Sequence, residues 1–155
     1  MAALEFGAGV SSYCCLHYHW ICATKFRRPF IRDPWRPRFH QYFGGAVRGL
    51  GGVPLEVGGV EDHVHLLVGL KTTHGLADFS RELKKATSVW AKVNGDPGFS
   101  WQGGYAVFSV SRSVVPIVAR YVRRQEEHHR KASSRVELET LLRRHQVDFE
   151  PGKLE

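Results

Sequence analysis

One stretch, His63-Val64-His65-Leu66-Leu67-Val68-Gly69-Leu70, constrains this chain more than any other. It is apolar enough to read as a buried strand, yet it carries two histidines one residue apart. Residues i and i+2 of a strand project from the same face. His63 and His65 therefore share one face, and Val64, Leu66, Val68 and Leu70 make the other. The apolar face needs a covering layer. The opposite face presents two imidazoles side by side, a pair able to hold a divalent cation. The rest of the chain must bury one side of this strand and give the other something to do.

The flanking sequence supplies the layers. Tyr13 to Thr24 is aromatic and β-rich and predicts a first strand, with Lys25-Phe26-Arg27-Arg28-Pro29 as a basic exit loop. Pro34 to Leu50 has helical spacing, with Asp33 as N-cap and Pro34 at the first helical position. Val53 to Val60 and His63 to Leu70 read as a hairpin turning at Glu61-Asp62. Leu76 to Val93 carries an apolar stripe at helical period, and Asn94 to Gly98 breaks it. Tyr105 to Val110 alternates as a fourth strand. A third helix, capped by Ser111 or Ser113, runs to about His129 with Pro116 in its first turn. Ser134-Arg-Val-Glu137 reads as a capping box opening a last helix. The order β-α-β-β-α-β plus C-terminal helices predicts an α+β, ferredoxin-like antiparallel sheet with helices on one face. At 155 residues, without repeats or a linker, the expectation is a single domain over 1–155. Its core would span about 13–131, with a C-terminal helix and tail over 132–155.

Charge narrows the class of partner. Lys and Arg outnumber Asp and Glu by 22 to 15, giving a formal net charge of +7. An excess of this size favours a polyanion, most simply nucleic acid. No apolar run is long enough to span a bilayer, and Met1 to Phe6 lacks the basic and apolar regions of a signal peptide. Cys14, Cys15 and Cys22 are odd in number, form no C-x-x-C, and read as reduced, mostly buried strand residues of a cytoplasmic protein.

The third helix carries the second chemical signal. Ile117, Tyr121 and Gln125 are spaced i, i+4, i+8 and share a stripe. The helix thus offers a phenol and an amide oxygen one turn apart, among Arg120, Arg123 and Arg124. A free tyrosine is a poor nucleophile at neutral pH, because its pKa is about 10. Nearby arginines and a cation would stabilise phenolate enough for attack on a phosphodiester. Gln125 could complete the site begun by His63 and His65. His128 lies about two turns from Tyr121 and could manage a proton or a phosphate. Lys25, Arg27 and Arg28 form one basic region, and Lys84 and Lys85 form another. His17, His19, His40, His74 and His145 show no ligand spacing.

Five segments together resemble one family. Asp62-His63-Val64-His65-Leu66-Leu67 resembles the His-hydrophobe-His motif of the HUH single-tyrosine transposases. These are the insertion-sequence-two-hundred-like enzymes, whose branches include the REP-associated tyrosine transposases. Tyr121-Val-Arg-Arg-Gln125 resembles their Tyr-x-x-x-Gln. Tyr18 to Pro29, Trp101 to Ser111 and Gln125 to Lys131 resemble the first strand with its basic loop, the strand before the tyrosine helix, and the end of that helix. Glu61 stands where the family often has proline, and Gly103 where it often has a charge; neither is a reactive group.

The resemblance implies a DNA transposase that nicks and rejoins single-stranded DNA at hairpin-bearing element ends. Tyr121 would be the nucleophile, forming a 5′-phosphotyrosine. His63, His65 and Gln125 would ligate Mg2+ or Mn2+, and His128 and Arg124 would support the site. The family's homodimer, its bacterial, nucleoid-associated setting and its independence from nucleotide cofactors are implied with it. Two other readings stay open. A domesticated relative would bind nucleic-acid hairpins without transposing, although it would have no need to keep His63, His65, Tyr121 and Gln125 together. A hydrolase using the histidine pair alone would need further ligands in an H-x-H-x-D-H pattern, which is absent.

Overall fold

The computed structural model describes residues 12–154, so Met1 to Phe6 lies outside the described residues. Four strands, β1 (His17–Ala23), β2 (Val53–Val60), β3 (His63–Gly69) and β4 (Ala106–Val110), form one antiparallel sheet in the order β2-β3-β1-β4. With helices α1 (Arg36–Gly49) and α2 (Leu76–Asn94) between them, this is the expected ferredoxin-like α+β arrangement. Helices α3 (Val115–Arg123), α4 (Gln125–His129) and α5 (Ser134–Arg144) follow.

Strand alternation divides the molecule. Trp20, Cys22, Val64, Leu66 and Val68 point to one face, where Phe39, Phe43 and Val47 of α1 and Phe79, Leu83 and Ala91 of α2 bury them. Ile21, Leu67 and Phe108 point to the other. There Leu67 packs with Val115 and Val122 of α3, and Ile21 and Phe108 pack with Leu142 of α5. The histidine pair lies on this second face, enclosed by the three C-terminal helices. Among the described residues, no helix is long and apolar enough to cross a membrane.

Several boundaries differ from expectation for local reasons. β1 begins at His17 and not Tyr13, because its partners end there: His17 pairs with Gly69 on one side and Val110 on the other. Cys14 and Cys15 therefore precede the strand, one half-buried and one exposed, and of the three free thiols only Cys22 is a buried strand residue. α1 starts at Arg36. Asp33 makes no cap, and its carboxylate accepts from the Arg36 guanidinium at 3.0 Å. The third helix breaks at Arg124 (φ −97°, ψ 26°), which separates α3 from α4. α5 is capped by Ser133, whose hydroxyl accepts from the Val136 amide, so the box predicted one residue later does not form.

His40 of α1 gives a stability test away from the site. Its Nε2 is buried without a hydrogen-bond partner, and burial, helped by Arg36, pushes its pKa down to about 4. The unfolded chain takes up this proton near pH 6.5 and the folded one does not until about pH 4. Stability is therefore lost as pH falls across that window, by up to about 3 kcal/mol from this group. In chemical denaturation at pH 7 and pH 4.5, His40→Gln should lose less stability on acidification than the parent. An equal loss in both would dismiss the assignment.

Candidate metal centre and tyrosine site

The centre starts from β3. His63 and His65 are 2% and 0% exposed, and their rings lie 4.9 Å apart. Each has its Nδ1 engaged behind it. His63 Nδ1 donates to Asp62 Oδ1 at 2.6 Å, and His65 Nδ1 shares a hydrogen bond with His19 Nε2 at 2.7 Å. Those outer partners orient the rings and leave both Nε2 atoms facing inward, the arrangement that holds metal-binding imidazoles. Asp62 is itself steadied by the Ser134 hydroxyl at 3.1 Å, and Ser134 accepts from Arg27 Nη1 at 2.6 Å.

The C-terminal helices bring the other groups. Gln125, 1% exposed at the start of α4, places Oε1 3.4 Å from His63 Nε2 and 3.1 Å from His129 Nε2. Glu137 of α5, 5% exposed, sits at the middle of the cluster. Its Oε1 lies 2.6 Å from His65 Nε2 and 3.6 Å from His63 Nε2, and its Oε2 lies 3.0 Å from His128 Nε2 and 3.1 Å from His129 Nε2. His63, His65, His129 and Glu137 thus form a group whose ligating atoms all lie within 4.8 Å of one another, a set that could bind a metal. Tyr121 of the same chain stands beside it, its ring 5.8 Å from His65, 6.0 Å from His19 and 5.3 Å from His128.

The electrostatics follow from burial opposed by near neighbours. Burial alone would lower His63, but Asp62 and Glu137 override it and raise the imidazole to about 9. His65 lacks such a carboxylate behind it, and burial takes it down to about 4 despite Glu137. Burial likewise lowers His19 to about 3. Glu137 resists its own burial: the close approach of the His129, His63 and His65 imidazoles holds it well below the usual carboxylate range. Tyr121 is pushed above the ordinary phenol value, first by burial and then by the charge of Glu137. Without a cation, the phenol keeps its proton.

Other predicted residues fall in different places. Arg27 backs the cluster through Ser134, and its Nε and Nη2 are buried without a partner. It borders a cavity of about 230 Å³ that also touches His63, Glu137 and Tyr105. Its backbone and that of Phe26 adopt left-handed φ values of 49° and 56°, uncommon for such residues. Lys25 and Arg28 flank the Phe26 ring at 5.5 and 5.6 Å, and the ring is 63% exposed. Arg124 is exposed at the helix break, not buried in the cluster. Lys84 donates to the carbonyls of Gln102 and Gly104, and Lys85 is exposed on α2, behind the opposite sheet face.

Three members of the cluster are not singled out by the sequence. Glu137 reads there as a cap residue. His19 has only the i, i+2 alternation with His17 across Tyr18, the same pattern that His63 and His65 make. His129 reads only as the end of the third helix.

A family model described as "Transposase IS200 like" matches residues 12–125. A crystal structure of a candidate transposase from Deinococcus radiodurans R1 superposes with a TM-score of 0.62 at 25% identity, covering 76% of this chain and 95% of that one. A REP-associated tyrosine transposase bound to a REP hairpin superposes with a TM-score of 0.54 at 12% identity, covering 76% and 70%. It shares the fold. No curated protein matches the sequence.

Proposed function

The chain belongs to the IS200-like transposase family, and on that premise we propose that it cuts and rejoins single-stranded DNA through a covalent link to Tyr121. The carrying observation is that one chain brings a phenol ring within 5.8 Å of His65, one of a histidine pair whose Nε2 atoms face a shared centre with Gln125. His63, His65 and Gln125 are the ligands of this reading. The donor set fits a cation, because the Nδ1 atoms are engaged outward while His65 Nε2 and Glu137 Oε2 are buried without a hydrogen bond. When bound, a divalent cation such as Mg2+ or Mn2+ supplies charge neutralisation at the scissile phosphate and offsets the Glu137 charge that disfavours phenolate.

The residues then divide the work. Tyr121 Oη attacks phosphorus, the bond to the 3′ oxygen breaks, and the strand ends as a 5′-phosphotyrosine and a free 3′-hydroxyl. His128, the nearest of the three imidazoles ringing the phenol and partly open to solvent, takes the phenol proton. Water protonates the departing 3′ oxygen. The tyrosine ester keeps the energy of the phosphodiester, so rejoining needs no nucleotide cofactor. Arg27, with two buried and unpartnered guanidinium nitrogens, binds a backbone phosphate beside the centre. Lys25 and Arg28 bind neighbouring phosphates, and the exposed Phe26 ring between them stacks on an unpaired base. Lys84 and Lys85 on α2 offer a second basic patch for phosphates, Lys84 being tied to the Gln102 and Gly104 carbonyls. Residues 1–155 work as one unit, on hairpin-bearing DNA of the nucleoid. In the homodimer of this reading, each protomer carries a complete site of its own.

The test uses hairpin-bearing single-stranded oligonucleotides from the flanks of the protein's own gene. With Mn2+, one of them should yield a protein–DNA band that survives denaturant. Chelator should remove it, and the same sequence as full duplex should not form it. Tight hairpin binding without a band from any flank would instead identify a binding protein that no longer cuts.

A further inference from the structure

We propose that α5 completes the metal centre: Glu137 and His129 join His63, His65 and Gln125 as ligands, and the resulting donor set selects a borderline transition ion over Mg2+. This rests on the reading that the histidine pair binds a cation. It extends that reading to residues beyond the matched family segment, which ends at Gln125.

Geometry carries the first step. Glu137 Oε1 and His65 Nε2 approach to 2.6 Å, and Glu137 Oε2 lies 3.0 and 3.1 Å from two further imidazole nitrogens. Yet His65 Nε2 and Glu137 Oε2, both fully buried, make no hydrogen bond of acceptable direction. Nitrogen and oxygen atoms that approach this closely without lining up donor to acceptor converge on a common point. Buried polar atoms left this way are costly unless a ligand satisfies them.

The placement of Glu137 is built. Ser133 caps α5, which turns Ser134 and Glu137 inward. Leu142 is buried with Ile21 and Phe108, and Leu138 packs against the same cluster. Ser134 ties the helix start to Asp62, the residue that orients His63. Docking of α5 and assembly of the centre are therefore one event.

Chemistry carries the second step. Mg2+ favours oxygen ligands in near-ideal octahedra and keeps several waters. Three imidazoles with one carboxylate and one amide oxygen suit Mn2+, Co2+ or Zn2+.

Co2+ is the probe, because its visible bands report ligand number and type. Wild type should bind one Co2+, and Mg2+ at about a thousand-fold excess should not bleach the bands. Glu137→Gln should weaken Co2+ binding by on the order of 100-fold and shift the spectrum, and His129→Asn should do the same. Glu137→Asp keeps the charge but withdraws the oxygen, so it should show the spectral shift even if Glu137→Gln folds poorly. Melting of the metal-free variants separates lost ligation from an undocked α5. If Glu137→Gln and Glu137→Asp keep the wild-type affinity and spectrum while His63→Ala loses both, the histidine pair binds metal and this proposal is wrong. Displacement by Mg2+ overturns the selectivity claim. Co2+ binding that survives His63→Ala overturns the underlying metal reading as well.

Discussion

Tyr121→Phe should remove the covalent protein–DNA band altogether, a fall of at least about 10³-fold in adduct formation. The substitution deletes one oxygen and nothing else of consequence. The ring stays packed against His65, His19 and His128, and Val122 beside it continues to anchor α3 on Leu67. Binding of the hairpin oligonucleotide should therefore stay within about twofold of wild type, and stability within about 1 kcal/mol, since Tyr121 is only partly buried. Loss of the band with retained binding separates a missing nucleophile from a missing site. A band of normal intensity in Tyr121→Phe would mean that another side chain attacks, and the assignment would fall. The rate in wild type should also rise with metal concentration, because burial and the Glu137 charge otherwise hold the phenol protonated.

How much of this could be read from residue order depends on the range of the forces involved. The histidine pair was legible because strand alternation is local: i and i+2 must share a face whatever the rest of the chain does. Tyr121 and Gln125 were legible as a pair for the same reason, at helical spacing. Even there the helix breaks at Arg124, and the pair spans two short helices. Glu137 was not legible. Its Ser-x-x-Glu setting satisfies a local rule, and only the docking of α5 through Leu142 shows that Ser133 takes the cap and frees the carboxylate. His19 depends on strand pairing between β1 and β3, a contact 46 residues apart that no spacing within either strand announces. The open sheet face expected of this fold is likewise filled by tertiary contacts, since α3, α4 and α5 enclose the histidines on it.

Gly58→Ala should cost about 1–3 kcal/mol in stability and slow adduct formation by about 100-fold, although Gly58 touches neither metal nor DNA. Gly58 lies opposite His65 in the β2–β3 register, on the face that α3 covers. A Cβ there would stand 2.0 Å from the Val122 carbonyl oxygen and 3.0 Å from its carbon. Those are backbone atoms of the helix that carries Tyr121, so no side-chain rotation relieves the clash. Either the helix lifts or the strand bends. Lifting separates Tyr121 from His65 and strips Val122 from Leu67, and a displacement of about 1 Å in a reacting group is enough for a loss of this size. The next residue, Gly59, also excludes a side chain, with φ of 150° and a Cβ position 2.3 Å from the His63 carbonyl. Gly58 thus sets how closely the tyrosine helix approaches the sheet, and Gly59 how closely β2 approaches the histidine strand. Gly45→Ala on α1, where a Cβ meets nothing within 4 Å, is the control and should leave both stability and adduct rate near wild type. If Gly58→Ala forms adduct at the wild-type rate, the position of Tyr121 is not set by this contact, and α3 is held by its other packing alone.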